Sequence, residues 1–356
     1  MAVGFPTKVN YATGDVLSAT NMNDLSGTVN LLDGTQYSGG KNRVLNSAMQ
    51  VWQRGTSLAL SSSATNYTAD RWATVSGNTG TASRQATGDT TNLPNIQYCL
   101  RMQRTAGVTT TNGMYIYQSM ESVNSIPLAG KTVTFSFYAR KGANFSPTSG
   151  GASVKIYYGT GTDQNVLTGY TGSTDILSGA TVTPTTTWAR YTYTATVPST
   201  ATEIAPGIEW VPNGTAGAAD YLEITGVQLE ASTVASAFST NGGTYQAELA
   251  ACQRYYYRSS GNFTFGTGVS TSSTSAQITI KPPTTLRVSP ASIDFSTLGI
   301  GDRTNYTLTV SNVAFYTNNV DLIELTVTNG AGATTNRFAF LAATSAAGYL
   351  GFNAEL

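Results

Sequence analysis

A chain of 356 residues is longer than one typical domain, so two or three domains, each with its own core, are expected. Its 19 basic and 19 acidic residues cancel and no basic run occurs, which leaves no electrostatic footprint for a nucleic-acid partner. Histidine is absent, and that excludes Ser-His-Asp and Cys-His nucleophilic sites together with every His-ligated metal centre.

Twenty Tyr and 36 Gly, with heavy use of Ser, Thr and Asn, suit short strands joined by tight turns, the composition of an all-β chain. Cys99 and Cys252 stand far apart in sequence, in no metal-like spacing, and read as two small buried hydrophobes. The start, MAVGFPTKVNYATGD, carries no apolar stretch behind a basic end. No run approaches the roughly 18 apolar residues of a membrane span, so no membrane partner is expected.

The first 20 residues read as extended and polar. Asn21 then caps a helix whose apolar residues Met22, Leu25, Val29 and Leu32 are spaced as a heptad seam, and Gly34 supplies its stop. About twelve residues with Gly27 inside them are marginal alone, so a neighbour must stabilise this helix. Identical chains, a docking partner or the chain's own β-domain are the candidates.

From Lys41 to about Ser239 the period becomes two. Val133, Phe135, Phe137 and Ala139 alternate with polar residues, as do Val154, Ile156 and Tyr158, and Tyr191, Tyr193, Ala195 and Val197. In Tyr221 to Leu229 the apolar phase moves from Leu222 and Ile224 to Val227 and Leu229, with Gly226 at the change, which predicts a bulge. Several strands with Gly, Ser, Asn and Thr turns imply an antiparallel sandwich of jelly-roll type.

Thr244 to Arg258 interrupt this with a helix whose one face holds Tyr245, Leu249, Cys252 and Tyr256. Alternation resumes at Ile278 and Ile280, at Tyr306, Leu308 and Val310, at Ile323, Leu325 and Val327, and at Phe338 and Phe340. A second, smaller β-sandwich accounts for it. The predicted fold is therefore all-β: two antiparallel, jelly-roll-like sandwiches behind a short N-terminal helical anchor. The boundaries are an attachment segment over 1–38, a jelly roll over 39–242, a helical connector over 243–259 and a C-terminal sandwich over 260–356.

Five segments carry a family resemblance. GFPTKVNYATGDVLSATNMNDL resembles the segment that joins many bacteriophage tail and fibre proteins to the particle. NRVLNSAMQVWQRGTS, followed by NYTADRW, resembles the first strands of a carbohydrate-binding-module-like jelly roll common in those proteins. ITGVQLEASTVASAFS is similar to that domain's last strand and exit. ELAACQRYYYRSS resembles a connector into a C-terminal β-domain, and GYLGFNAEL resembles the ending of such a domain.

The resemblance implies a virion tail fibre or adhesin, made in the host cytoplasm, that docks on other tail proteins through its N-terminal segment. A head fibre or capsid decoration, or a glycan-depolymerising protein, are the alternatives. Related cellulose- and xylan-binding modules often hold a structural calcium near their first and last strands. Leu45 to Val51 contain no carboxylate, and Asp70, Asp220 and Glu223 are only loose ligands for it, so no metal and no cofactor are expected.

Catalysis on a glycan needs two carboxylates across a cleft. Glu203, Glu209, Asp220 and Glu223 show no spacing that makes them converge, and Glu223 reads as an outward-facing strand residue. Binding a glycan needs flat aromatic faces beside amides and hydroxyls, and Tyr157, Tyr158, Tyr170 and Trp210 are the candidate platform. Their alternative is core and interface packing, and Trp52 and Trp72 fit the core better. Exposed strand edges and apolar flanks favour closure as a homotrimer, with Met22, Leu25, Val29 and Leu32 as a three-stranded clasp.

Overall fold

The computed structural model describes residues 41–356 apart from 62, 262 and 303–307. The seam of Met22, Leu25, Val29 and Leu32, and Tyr306 in the C-terminal part, lie outside the described residues.

The larger domain is an antiparallel sandwich of jelly-roll type. Its strands are β1 (Ser57–Leu60), β2 (Asn66–Tyr67), β3 (Ala73–Ser76), β4 (Gly80–Ala86), β5 (Tyr98–Arg104), β6 (Met114–Tyr117) and β7 (Thr132–Lys141). They continue as β8 (Ala152–Gly159), β9 (Thr174–Asp175), β10 (Thr181–Val182), β11 (Ala189–Thr196), β12 (Glu203–Trp210) and β13 (Tyr221–Glu230). One sheet has the order β1-β4-β5-β13-β7-β11, and the facing sheet runs β10-β8-β12-β6-β3-β2, with β9 also paired to β8.

The alternating residues do what their period dictates. Val133, Phe135, Phe137 and Ala139 of one sheet meet Ile116, Val154, Ile156, Ile204 and Ile208 of the other in a single buried core. The phase change in β13 is a bulge: its register against β7 shifts between Thr225 and Gln228, and Gly226 has φ +56°. Val227 and Leu229 thereby stay buried alongside Leu222 and Ile224.

The expectation of a first strand in NRVLNSAMQVWQRGTS is corrected. Residues 41–56 form no strand, and Asn46 and Met49 have φ of +49° and +53°, which no ladder accommodates. Side chains replace the ladder. The Asn46 side-chain oxygen accepts from the Gln50 and Val51 amides, and its Nδ2 donates to the Val51 and Asp70 carbonyls. Asn42 likewise donates to the Val227 carbonyl and accepts from the Leu229 amide, fastening the segment to β13. Trp52 and Trp72 are buried, and the Trp72 Nε1 donates to the Asn46 carbonyl.

The connector helix runs Tyr245–Gln253, with the Thr244 hydroxyl accepting from the Ala247 amide as its cap. It is shorter than the sequence implies, because Tyr256 already pairs with Asn353 in a ladder. Its buried side chains are Glu248 and Cys252, whereas Tyr245 is exposed.

The C-terminal strands are β14 (Tyr256–Ser260), β15 (Thr264–Ser272), β16 (Ser275–Ile280), β17 (Ser292–Ser296), β18 (Leu298–Gly301), β19 (Leu308–Asn318), β20 (Ile323–Asn329), β21 (Phe338–Ala343) and β22 (Tyr349–Asn353). Six of them close as a barrel in the order β15-β16-β20-β19-β18-β21, and β14-β22-β17 form a small sheet packed on it. The antiparallel all-β layering holds here, with the main sheet curled to closure. One phase is corrected: Ala339, Leu341 and Ala343 point inward, while Phe338 is 57% exposed. A barrel of this size is filled by its own side chains, here Ile278, Ile300, Leu325 and Leu341 with the smaller Ala339 and Ala343 between them. The Phe340 ring lies outside, where Gly301 leaves room for it.

The two domains are joined by buried polar contacts. Arg71 pairs with Glu355 and donates to the Ser119 carbonyl, with its guanidinium 3.6 Å from the Tyr255 ring centre. Arg54 also reaches Glu355, at 3.3 Å. The Tyr67 hydroxyl and the Asn165 side-chain amide both donate to the Leu356 carbonyl, at 2.8 and 3.1 Å.

Asp70 lies beside this junction, accepting from the Gln53 amide. Burial pushes its carboxyl up to about 6 despite the nearby Arg54 charge, and burial also raises Glu248. A raised acid favours the fold in its protonated form, so this contribution is present below about pH 4 and lost as pH rises through about 6. Stability measured by urea unfolding should therefore depend on pH between 4 and 7 more steeply in the native chain than in Asp70→Asn. The expected difference is on the order of 3 kcal/mol over that window. Equal slopes for the two proteins would refute the assignment.

Candidate functional site

The outer face of the β10-β8-β12-β6-β3-β2 sheet carries a cluster of aromatic and polar side chains. Period two puts every second residue of these strands there, and the register aligns them in rows. Val75, Tyr115, Glu209 and Ser153 form one row across β3, β6, β12 and β8. Ala73, Tyr117, Gly207 and Lys155 form the next. Tyr157 follows on β8, opposite Ala205 on one side and Asp175 on the other.

Gly207 sets the floor. A Cβ at this position would meet the Tyr117 ring at 2.1 Å, so the ring lies flat across the strand where a side chain would otherwise stand. The Tyr117 hydroxyl donates to Glu209 at 2.6 Å, and its ring centre lies 5.8 Å from that of Tyr157. Burial, then the Glu209 charge, raises the Tyr117 phenol, which therefore stays a neutral donor. Lys155 sits 3.1 Å from Asp175 and 3.6 Å from Glu209. Burial alone would lower the Lys155 ammonium, but the Asp175 hydrogen bond and both carboxylate charges outweigh it and raise it.

Two clefts open on this face, each of about 350 Å³, and Tyr115 and Glu209 line both. Tyr117, Tyr157, Val166 and Leu167 line the first. Thr148, Ser149, Ser153 and Trp210 line the second. Tyr117 is itself only 2% exposed, so the rings open to a ligand are those of Tyr115 and Tyr157; with nearby hydroxyls and the Glu209 carboxylate they suit a polyhydroxylated ring ligand.

Of the four platform residues expected from sequence, Tyr157 stands on this face and Trp210 borders the second cleft. Trp210 is only 4% exposed, packed edge-on against Phe145 with ring centres 5.7 Å apart. Tyr158 is corrected: as the strand neighbour of Tyr157 it points the other way and packs on the core. Tyr170 is also corrected. It lies in the loop between β8 and β9, buried against Gly159. Tyr115 and Tyr117 escape sequence reading because Met114–Tyr117 is only four residues long, too short to show a phase.

The carboxylates weighed for catalysis are scattered. Glu223 is clamped between Arg101 and Arg140 in a row across β5, β13 and β7. Asp220 is paired with Arg104 at 2.8 Å, both buried, and Glu203 accepts from the Gln164 amide. Glu209 alone of the four reaches the clefts. Among the described residues no group of three or more His, Cys, Asp or Glu side chains is placed to hold a metal ion, and Asp70, Asp220 and Glu223 are each engaged by other side chains.

No family model and no curated protein matches this sequence. Among solved structures, the chain is similar to the enzymatically active domain of tailspike protein 4 from bacteriophage CBA120, at 14% identity and a TM-score of 0.33. That match covers 55% of this chain and 22% of the tailspike chain. It is also similar to the CBM22-1 xylan-binding domain from Paenibacillus barcinonensis, at 11% identity and a TM-score of 0.32, over 56% of this chain and all of that one. A family 22 carbohydrate-binding module from Clostridium thermocellum matches at 19% identity and a TM-score of 0.31, over 56% of this chain and all of the module. The likeness is loose, and no residue role is carried over from it.

Gly207→Ala should force the Tyr117 ring off the strand and cost about 1–3 kcal/mol in urea unfolding. Gly330→Ala, with open space around the added methyl, is the control and should stay within about 0.5 kcal/mol of the native chain. Equal effects of the two substitutions would disprove the flat-ring floor.

Proposed function

We propose that this protein is a non-catalytic, glycan-binding structural protein of a phage tail, a tail fibre or adhesin that contacts host-surface polysaccharide. The observation that carries the binding half is the outer sheet face, where Tyr115 and Tyr157 stand with Glu209 and Lys155 beside two adjoining clefts, over the buried Tyr117. Rings on a sheet are held in fixed positions, so a sugar meets them without an ordering cost. Two clefts sharing a wall fit neighbouring units of one chain better than a single small molecule.

The geometry favours binding over hydrolysis. A glycosidase places an acid and a second carboxylate on opposite sides of a bond, and here Glu209 is already tied to Tyr117 and Lys155. Affinity electrophoresis in host surface polysaccharide should show retardation, and Tyr115→Ala and Tyr157→Ala should each weaken binding about tenfold, roughly 1.4 kcal/mol. Unchanged mobility in both variants would defeat the sheet-face reading. New reducing ends released by the pure protein would defeat the non-catalytic one.

The tail setting rests on the ordered sequence resemblance, which begins in the N-terminal segment. In this reading residues 1–38 hold the chain to the particle, and Met22, Leu25, Val29 and Leu32 join three copies. Immunogold labelling should mark the tail, and light scattering at micromolar concentration should give the mass of three chains. Label on the capsid, or a monomer mass, would overturn the corresponding half.

A further inference from the structure

Asparagine is followed by glycine at Asn112, Asn213, Asn241 and Asn329. This pair is chemically fragile: glycine has no side chain to shield its amide nitrogen, and its backbone freedom lets that nitrogen approach the asparagine side-chain carbon. The following residue is the same in every case, so local sequence ranks these positions alike. The structure separates them.

Ring closure needs the peptide plane between the two residues to turn until the glycine nitrogen faces the side-chain carbon. Hydrogen bonds oppose that turn at Asn112, Asn241 and Asn329. The Asn112 carbonyl accepts from the Asn78 side chain at 2.6 Å, and Asn112 Nδ2 donates to the Gly77 carbonyl at 3.0 Å. Asn241 Nδ2 donates to the Asn42 carbonyl, and the Gly242 amide donates to Glu248 at 2.8 Å. Asn329 is buried, and the Gly330 amide donates to the Thr309 carbonyl at 3.0 Å.

Asn213 is placed differently. It lies with Gly214 and Thr215, all exposed, in the loop between β12 and β13. Among the described residues no hydrogen bond engages its side-chain amide, its carbonyl or the Gly214 amide nitrogen. Its own amide donates to the Ser146 carbonyl and the Gly214 carbonyl accepts from Arg104, so both flanks are held while the peptide plane between them can turn. Gly214 has φ +63°, and nothing lies within 4 Å of where a Cβ would stand. We propose that Asn213–Gly214 is a self-modification site of the folded chain, with water as its co-reactant. The Gly214 nitrogen attacks the Asn213 Cγ, the Cγ–Nδ2 bond breaks, and Nδ2 leaves as ammonia with the Gly214 proton. Water then opens the five-membered ring at either carbonyl and leaves an aspartyl or an isoaspartyl link. One water is consumed, one ammonia is released and nothing is oxidised. The product carries a new carboxylate two residues from Val211, which lines the second cleft of the sheet face. The step does not depend on the glycan reading of that face.

The test is ageing of the full chain in mildly alkaline buffer, followed by peptide mapping in a mass spectrometer and by anion exchange. In the folded chain, amide-to-acid conversion at Asn213 should outpace that at Asn112, Asn241 and Asn329 by about tenfold or more. In guanidinium chloride, where the hydrogen bonds are gone, the rates should converge. Ageing should also produce an acidic species that elutes with Asn213→Asp, and Asn213→Gln, whose longer side chain closes the ring poorly, should not form it. Conversion at Asn213 no faster than at the other positions, the same ranking in guanidinium chloride, or the same acidic species from Asn213→Gln would each overturn the proposal.

Discussion

The arrangement of this molecule turns on one buried guanidinium. Arg71 sits in the left-handed region, at φ +71°, in the tight turn between β2 and β3. That strained turn aims its side chain away from its own core and into the domain junction, where Glu355, the Ser119 carbonyl and the Tyr255 ring meet it. A buried ion pair is weak evidence of net stability, because desolvation consumes much of the attraction. Its effect is specificity: one-sided loss of a partner costs on the order of 3–5 kcal/mol, so alternative dockings that leave the charge alone are strongly disfavoured. Both β-domains and, through Tyr255, the end of the connector meet at it.

How much of this was legible in the sequence varied with the length of the element. Long alternating runs such as Val133 to Ala139 and Ile323 to Val327 read correctly, because a period of two repeated over several residues has one phase that buries the apolar set. Gly226 marked the bulge because a phase change needs an extra residue there. The segment from Asn42 to Trp52 did not read correctly. Its backbone bonds are satisfied by the side chains of Asn42 and Asn46, and nothing in a hydrophobicity pattern signals that an asparagine amide will replace a strand. Phe338 and Phe340 misled for a different reason: in β21 the inward phase of the closed barrel is the one carrying Ala339, Leu341 and Ala343, so both rings fall on the outer face.

The candidate site was half visible. A platform of tyrosines was expected, and Tyr157 belongs to it, but Tyr158 and Tyr170 fall elsewhere. The neighbours that complete the face, Tyr115, Tyr117 and Gly207, come from two strands distant in sequence from β8. Only the register brings them together: Gly207 stands between Tyr117 and Lys155 because β12 pairs on both sides. The glycine matters as an absence. Removing one side chain from the middle of the row lets its neighbour's ring lie down and turns an ordinary strand surface into a flat floor.

A flat, half-exposed sheet face has a consequence for affinity. If a sugar binds there as proposed, few groups would surround it, so each face would contribute modestly through rings that are already in place. In a trimer of such chains three faces would meet the same polysaccharide. Once one face is engaged, the others sample the neighbouring glycan at an effective concentration near the millimolar range for short connections, and overall binding can exceed that of one face by about 10²–10⁴ with no new contact. In such a trimer, firm coupling of the domains would serve that gain. A face on a swinging domain would spend part of that gain on ordering, whereas one held by Arg71 and Glu355 presents its rings at a fixed angle. Under the proposed glycan reading, the strained turn at Arg71 would fix the orientation in which weak contacts at the preformed face of Tyr115 and Tyr157 could add up.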